Sequence, residues 1–163
     1  MSHIAQYSSQ LGAVDKALFL EAMRYVACQE QNQGSVFGTT VHSYDEGRNV
    51  HHWQGQRIAA SIRTNDLPQG IGVYFDGHGK PVFIADALWE AETVTGLNRR
   101  DRRFAPLEQR SRAAIERLQR AVELGYRSLA IQLVLKANGF SSEVLPSQQV
   151  SGGLVIQAQK VGG

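Results

Sequence analysis

Nine arginines lie between residues 98 and 127, and their chemistry is the most distinctive in the chain. Four of them, Arg99, Arg100, Arg102 and Arg103, surround Asp101 in a short polar stretch. Planar guanidinium groups form paired hydrogen bonds with carboxylates and phosphates, and they stack on flat rings. A loop has little structural need of four arginines, so this cluster predicts a surface for a negatively charged partner.

The remaining arginines continue along a predicted helix: Arg110, Arg112, Arg117, Arg120 and Arg127. Glu116 precedes Arg120 by four residues, the orientation that favours an ion pair on a helix, and Glu123 stands in the same relation to Arg127. Glu116 also follows Arg112 by four. Such pairs explain much of the helix charge without a partner, so a solvated helix face is the favoured interpretation there. The partner-binding residues that we predict are Arg99, Arg100, Arg102, Arg103, Arg110 and Arg117.

Histidines are the residues that we considered as metal ligands. His51 and His52 are adjacent, and neighbouring strand residues point to opposite faces, so the two side chains would not easily share an ion. His42 and His78 lie nearby in sequence. A polar loop explains them as well, and we predict no metal site and no cofactor.

Three carboxylates, Asp86, Glu90 and Glu92, lie around Trp89 and could act as acid and base. Acidic residues at the start of a helix are also favoured by the helix dipole, which explains them without catalysis. The single cysteine, Cys28, has no nucleophile context and is expected to be a small buried residue. We therefore predict no catalytic residue.

The composition describes an ordinary globular chain of 163 residues with 42% hydrophobic and 20% charged side chains. One cysteine cannot form an internal disulfide, and no apolar run is long enough to span a bilayer. With no signal peptide at the start, we expect a cytoplasmic protein without a membrane segment. The net charge of +2 hides an acidic front, residues 1–97, and a basic middle, residues 98–127.

Residue patterns predict a single domain over residues 1–163 with an α+β fold, in which helices pack on one face of an antiparallel sheet. An Asp-Gly turn at residues 76–79 between two apolar runs predicts a hairpin. Gly125 is expected to break or kink the arginine-bearing helix. The other predicted elements are strands at 4–7, 35–44, 56–63, 140–145 and 154–160, and helices at 14–28, 87–92, 106–124 and 126–137.

Several short motifs resemble the uncharacterised plastid and cyanobacterial hypothetical family known as conserved chloroplast reading frame thirty-five. They occur in order as Met1-Ser2-His3-Ile4, Ile71-Gly72-Val73, Ile84-Ala85-Asp86-Ala87-Leu88-Trp89, Tyr126, Gly139-Phe140 and Gly152-Gly153-Leu154-Val155. The chain departs from that family by an extra residue before Trp89 and by an arginine-rich insertion after it. The resemblance implies a compact α+β fold, with Asp86 and Trp89 as structural anchors and Trp89 in the core. It implies no activity.

These observations favour a non-catalytic binding protein, an adaptor or small inhibitor, that docks a protein partner through the arginine-rich loop and helix. A nucleic-acid-binding protein that uses the same arginines is the alternative, although few aromatic residues lie among them. An enzyme of unknown class ranks third. Self-association is a further alternative, because the apolar face at residues 126–137 needs more cover than one small sheet provides.

Overall fold

An antiparallel sheet of five strands forms the centre of the molecule. The computed structural model describes residues 5–32, 40–42, 52–53, 56–64, 66–150 and 153–162. The strands are β1 Ala5–Ser8, β2 Thr40–His42, β3 His52–Trp53, β4 Gln56–Arg57, β5 Ala60–Arg63, β6 Ile71–Phe75, β7 Pro81–Ala85, β8 Phe140–Pro146 and β9 Leu154–Lys160. The strands of the central sheet run in the order β1-β7-β6-β5-β2, and β3-β4 and β8-β9 form two separate two-stranded sheets.

Three helices complete the fold: α1 Lys16–Asn32, α2 Ala87–Thr95 and α3 Phe104–Ala137. The core joins α1 and α3 to a single face of the sheet, where Phe19 and Ile115 are fully buried against Val73 and Phe83. Alternation along β6 and β7 sends Tyr74 and Ile84 and their neighbours to the opposite face, into a smaller cluster. The predicted α+β class is therefore confirmed.

The hairpin predicted from the Asp-Gly turn is present as β6 and β7. Asp76 Oδ1 accepts hydrogen bonds from the backbone N–H groups of His78 and Lys80, both at 2.9 Å. Gly79 has a φ of 77°, a left-handed conformation that glycine adopts without steric cost. The turn residues therefore fix the register that places Phe83 on the core face.

Helix α3 runs without interruption past Gly125, so the predicted break there is wrong. Gly125 is buried where α3 crosses α1, and a Cβ built on it would lie 3.4 Å from Val26 Cγ2 and 3.8 Å from Ala22 Cβ. A small residue allows the two helices to approach closely at this crossing. The glycine thus serves helix packing, and a single 34-residue helix replaces the two that were predicted.

The buried stripe of α3 contains polar residues, one of which, Glu123, was expected on its exposed face. Glu123 is buried and accepts hydrogen bonds from the backbone N–H of Gln10 at 3.2 Å and from Gln119 Nε2 at 3.1 Å. Gln119 Nε2 also donates to the backbone oxygen of Ser8 at 2.9 Å. These bonds tie the end of β1 to α3 and give partners to the backbone groups of Ser8 and Gln10.

The last turns of α3 and the β8–β9 hairpin form the C-terminal part of the described chain. Asn138 caps the helix and Gly139 follows with a φ of 81°, as the Asn-Gly pair predicts. No described residue beyond Ser128 is buried, and Ile131, Leu133 and Val134 are exposed on α3. This region therefore packs on the core without contributing to it.

Candidate arginine-rich interface

Residues 96–103 connect α2 to α3, and two short side chains stabilise the turns in this connection. Asn98 Oδ1 accepts a hydrogen bond from the backbone N–H of Arg100 at 2.9 Å. Asp101 Oδ1 accepts one from the backbone N–H of Arg103 at 2.8 Å. Local bonds of this kind let Asn and Asp stabilise turns, so the arginine cluster is presented on an ordered backbone.

Two of the four arginines in the connection are bound within the molecule. Arg103 donates two hydrogen bonds to Asp101, from Nε to Oδ1 at 3.1 Å and from Nη2 to Oδ2 at 2.9 Å. These side-chain bonds, together with the backbone N–H of Arg103, lower the pKa of Asp101 to about 2. Arg99 Nε lies 2.9 Å from Glu92 Oε1 on α2. Arg100 and Arg102 are exposed and form no ion pair with any described residue.

A groove of about 740 Å³ lies between α1, the last turns of α3 and the β8–β9 hairpin. A second groove, of about 620 Å³, lies between α2 and α3 beside the connection. Arginines from one side of α3 line the second groove, and we call it the arginine groove, defined by Arg110, Arg117 and Arg120. Their separations of seven and three residues place them in one stripe along the helix. Most of the remaining wall is apolar and is formed by Ala91 and Val94 of α2 and by Leu107, Ala113 and Ala114 of α3, while Thr95 and Ser111 add hydroxyl groups.

The charges of the arginine groove are largely uncompensated. Arg117 Nη2 lies 3.9 Å from Asp66 Oδ2, and both side chains are more than 60% exposed, a geometry of little energetic value. Within the described part of the chain, Arg110 and Arg120 form no ion pair. The three guanidinium groups against one carboxylate therefore give the groove a positive character.

The ion pairs predicted along α3 are wrong. Glu123 is buried and its Oε1 accepts from Gln10 and Gln119, whereas Arg127 is exposed and forms no ion pair with a described residue. Arg112 pairs with Glu108, one turn earlier, through Nε at 3.0 Å and Nη2 at 2.6 Å. Among described residues neither Glu116 nor Arg120 forms an ion pair. The structure therefore does not support the interpretation that the charges of Arg120 and Arg127 are neutralised by glutamates of the same helix.

The six predicted partner-binding residues divide into two sets. Arg110 and Arg117 line the arginine groove, whereas Arg99, Arg100, Arg102 and Arg103 lie on the connection and do not line it. Arg120 and Val94 were missed, the first because it was assigned to a pair with Glu116. The spacing of Arg110, Arg117 and Arg120 was the available signal.

The three candidate acid and base residues have structural contacts. Asp86 Oδ1 accepts the backbone N–H of Trp89 at 3.0 Å and caps α2. Glu90 is fully buried, and its Oε2 accepts the backbone N–H of Gln69 at 3.1 Å. Glu92 binds Arg99. Trp89, expected in the core, is 36% exposed because the buried side of α2 is formed by Ala87, Glu90 and Ala91.

The histidines and the cysteine add no further site. His78 lies exposed in the β6–β7 turn. The side chains of Cys28, His42, His51 and His52 fall outside the described part of the structure. Across the described residues, no group of three or more His, Cys, Asp or Glu side chains is placed to hold a metal ion. In those same segments no helix combines the length and apolar character needed to cross a membrane.

The fold and the geometry of the groove thus define an α+β protein with an arginine-lined groove on its surface. No protein-family model, curated protein or solved structure matches the chain. The resemblance to the chloroplast reading-frame family therefore stays a prediction. Any assignment of function rests on the chemistry of the groove and the adjoining connection.

Proposed function

We propose that this protein is a non-catalytic binding protein, an adaptor or small inhibitor, that docks an acidic segment of a partner protein in the arginine groove. This proposal rests on the placement of Arg110, Arg117 and Arg120 along one groove whose wall is mostly apolar. Guanidinium groups there can form forked hydrogen bonds with Asp and Glu side chains of the partner. Arg100 and Arg102 on the connection extend the same positive surface.

The walls of the groove favour a protein segment over nucleic acid. Val94 and Leu107 offer small apolar contacts that suit aliphatic side chains. None of the described residues that line it is aromatic, so nucleobases would find no stacking platform among them. Asp66 lies 3.9 Å from Arg117, so a partner carboxylate with a better hydrogen-bond geometry can displace it.

Affinity purification of the tagged full chain, with and without nuclease, tests this proposal. Arg117→Glu and Arg24→Glu are a matched pair, because the two arginine side chains are 63% and 61% exposed and each change alters the net charge equally. We expect a stoichiometric protein partner that survives nuclease, is weakened about tenfold or more by Arg117→Glu and is unaffected by Arg24→Glu. Arg110→Glu combined with Arg117→Glu is expected to abolish the complex.

Two results would contradict the docking of an acidic protein segment. A complex that the double variant retains at full affinity would remove the arginine groove from the interface. Nucleic acid that copurifies, together with loss of all protein partners on nuclease treatment, would instead assign the arginines to phosphate contacts. Affinity for nucleic acid would then fall steeply with salt concentration.

A further inference from the structure

The two helices that form the arginine groove line it with side chains at the spacing by which helices pack side by side. On α3 the groove is lined by Leu107, Arg110, Ala114 and Arg117, which follow one another at intervals of three, four and three residues. This heptad-type spacing keeps the four side chains on one side of the helix, along the line where a neighbouring helix can pack. The lining residues of α2 likewise share one side of their helix. The groove therefore has the residue spacing of a helix-packing site on both of its walls.

Small side chains on both walls allow the backbone of a third helix to approach closely. Ala91 lines the groove from α2, and Ala113 and Ala114 line it from α3. The distance between two packed helices depends on the size of the side chains at their contact, so alanines permit a short one. Val94 is exposed on α2 and adds an apolar contact at the edge of the groove. The size of the lining residues therefore suits a helix that lies along α3.

The described walls give no support to an extended segment. Extended segments bind by adding a strand to the edge of a sheet, or as a polyproline II helix in a groove lined by aromatic rings. None of the described residues that line the arginine groove belongs to a strand, and none is aromatic. The backbone groups of an extended segment would therefore lie against helices whose own N–H and C=O groups are already paired. A helical segment pairs its backbone groups internally and avoids this cost.

We propose that the acidic partner segment docks as an amphipathic α-helix, which lies along α3 in the arginine groove and makes a third helix beside α2 and α3. Its carboxylates are spaced by seven and three residues, in the order set by its direction, so that they face Arg110, Arg117 and Arg120. With a rise of 1.5 Å per residue, Arg110 and Arg117 stand about 10.5 Å apart along α3, which is the distance between residues seven apart in a second helix. Small apolar residues beside the acidic row contact the groove wall. This inference rests on the proposed function and specifies the conformation of the partner.

The three arginines of the groove form a row along α3 instead of surrounding one point. Their positions span ten residues of the helix, from Arg110 to Arg120, or about 15 Å. Guanidinium groups that bind a single phosphate group converge on its oxygens. A row of this length matches several carboxylates along a helix better than one phosphorylated residue. The charge pattern therefore agrees with the residue spacing in favouring an acidic helix.

Fluorescence anisotropy with the full chain and labelled synthetic peptides of about 20 residues tests the helical conformation. The first probe is an alanine-rich, helix-forming peptide with glutamates at the proposed spacing of seven and three. The second probe has the same composition, reordered so that its glutamates lie all around the helix. The third probe is the first with a central proline on the side away from the glutamates, which breaks the helix and keeps every carboxylate. We expect the first probe to bind, and the other two to bind at least about tenfold more weakly.

Variants of the chain locate the binding of the first probe. Arg117→Glu should weaken it about tenfold or more, whereas the matched Arg24→Glu should not. Ala113 and Ala105 are both exposed alanines of α3, and of the two only Ala113 lines the groove. Ala113→Trp should therefore block the docking of a helix, and Ala105→Trp should leave the affinity unchanged.

The outcomes separate the conformation of the partner from the proposed function. If either comparison probe bound as tightly as the first and kept the dependence on Arg117, the helical acidic row would be overturned, while the docking of an acidic segment would stand. If no probe bound, or if Arg117→Glu did not weaken the binding, the proposed function would be overturned together with this inference.

Discussion

Single residues of the α2–α3 connection divide its arginines into those bound internally and those open to a partner. Asp101 holds Arg103 by two side-chain hydrogen bonds, and Glu92 holds Arg99. Arg100 and Arg102 extend from the same ordered turn with no ion pair to a described residue. A cluster that looks uniform in sequence therefore has two arginines that build the turn and two that extend the positive surface.

The pKa of Asp101 reports directly on this arrangement. Because its folded pKa is about 2, below the ordinary value of 3.8, the contribution of this carboxylate to stability is full above pH 3.8 and is lost as pH falls toward 2. Arg103→Gln should raise the pKa of Asp101 toward 3.8, though not fully, since the backbone N–H of residue 103 still donates. Carboxyl NMR titration measures the change.

Arg102→Gln is the control for that titration, because Arg102 makes no ion pair with a described residue. It should leave the pKa of Asp101 close to 2. An equal rise in both variants would mean that the general positive charge of the segment, rather than the Arg103 hydrogen bonds, depresses the pKa.

At the scale of elements, α3 runs through the core, the arginine groove and the C-terminal part of the described chain. Its buried stripe packs on the sheet and α1, its arginine stripe lines one groove with α2, and its last turns expose Ile131, Leu133 and Val134. A break at Gly125 would uncouple the arginine groove from those exposed residues. Continuity of the helix instead fixes their separation at 1.5 Å per residue.

Substitution of Gly125 tests how the crossing of α1 and α3 sustains that continuity. Gly125→Ala should stabilise the protein by about 0.5–1 kcal/mol, because alanine favours helix and its methyl group fits in ordinary contact with Val26 and Ala22. Gly125→Leu should destabilise it by about 1–3 kcal/mol, since the larger side chain pushes the helices apart. Denaturant unfolding measures both changes.

The contrast between these two substitutions identifies the cause. If Gly125→Ala destabilised the protein as much as Gly125→Leu, the helices would be in closer contact at this point than the 3.4 Å approach indicates. If neither changed the free energy of unfolding, the crossing would not be close-packed.

At the scale of the whole molecule, the buried core is confined to one part of the described chain. The buried core lies among the sheet, α1 and the first two thirds of α3, and it ends at Ser128. The hairpin and the end of α3 add apolar surface without buried side chains. An isolated two-stranded hairpin is marginally stable, so its order depends on packing against α3.

Deletion of residues 139–163 tests this division. The shortened chain should keep one cooperative thermal transition, because it retains every described core residue. Its loss of unfolding free energy should be smaller than that of Ile115→Ala, which empties a fully buried site at a cost of about 2–5 kcal/mol. Calorimetry compares the two. A deletion that abolished the cooperative transition would show that the hairpin belongs to the folding core.

The sequence determined the elements whose signals are local. The Asp-Gly hairpin, the Asn-Gly helix stop, the two closing strands and the α+β class follow from turn chemistry and periodicity, which act over a few residues. The arginine cluster was equally visible, and so was the apolar face at the end of α3. In both cases the residue types carry the information without reference to neighbours in space.

Only the tertiary structure decided what those residues contact. Gly125 was expected to break a helix, but its buried position against α1 makes continuity favourable. Glu123 was expected to pair with Arg127, but it is buried and accepts hydrogen bonds from the backbone N–H of Gln10, just after β1, and from the Gln119 side chain. Because packing partners lie far apart in sequence, propensity and spacing could not place Arg120 in a groove with α2 or leave Trp89 at the surface.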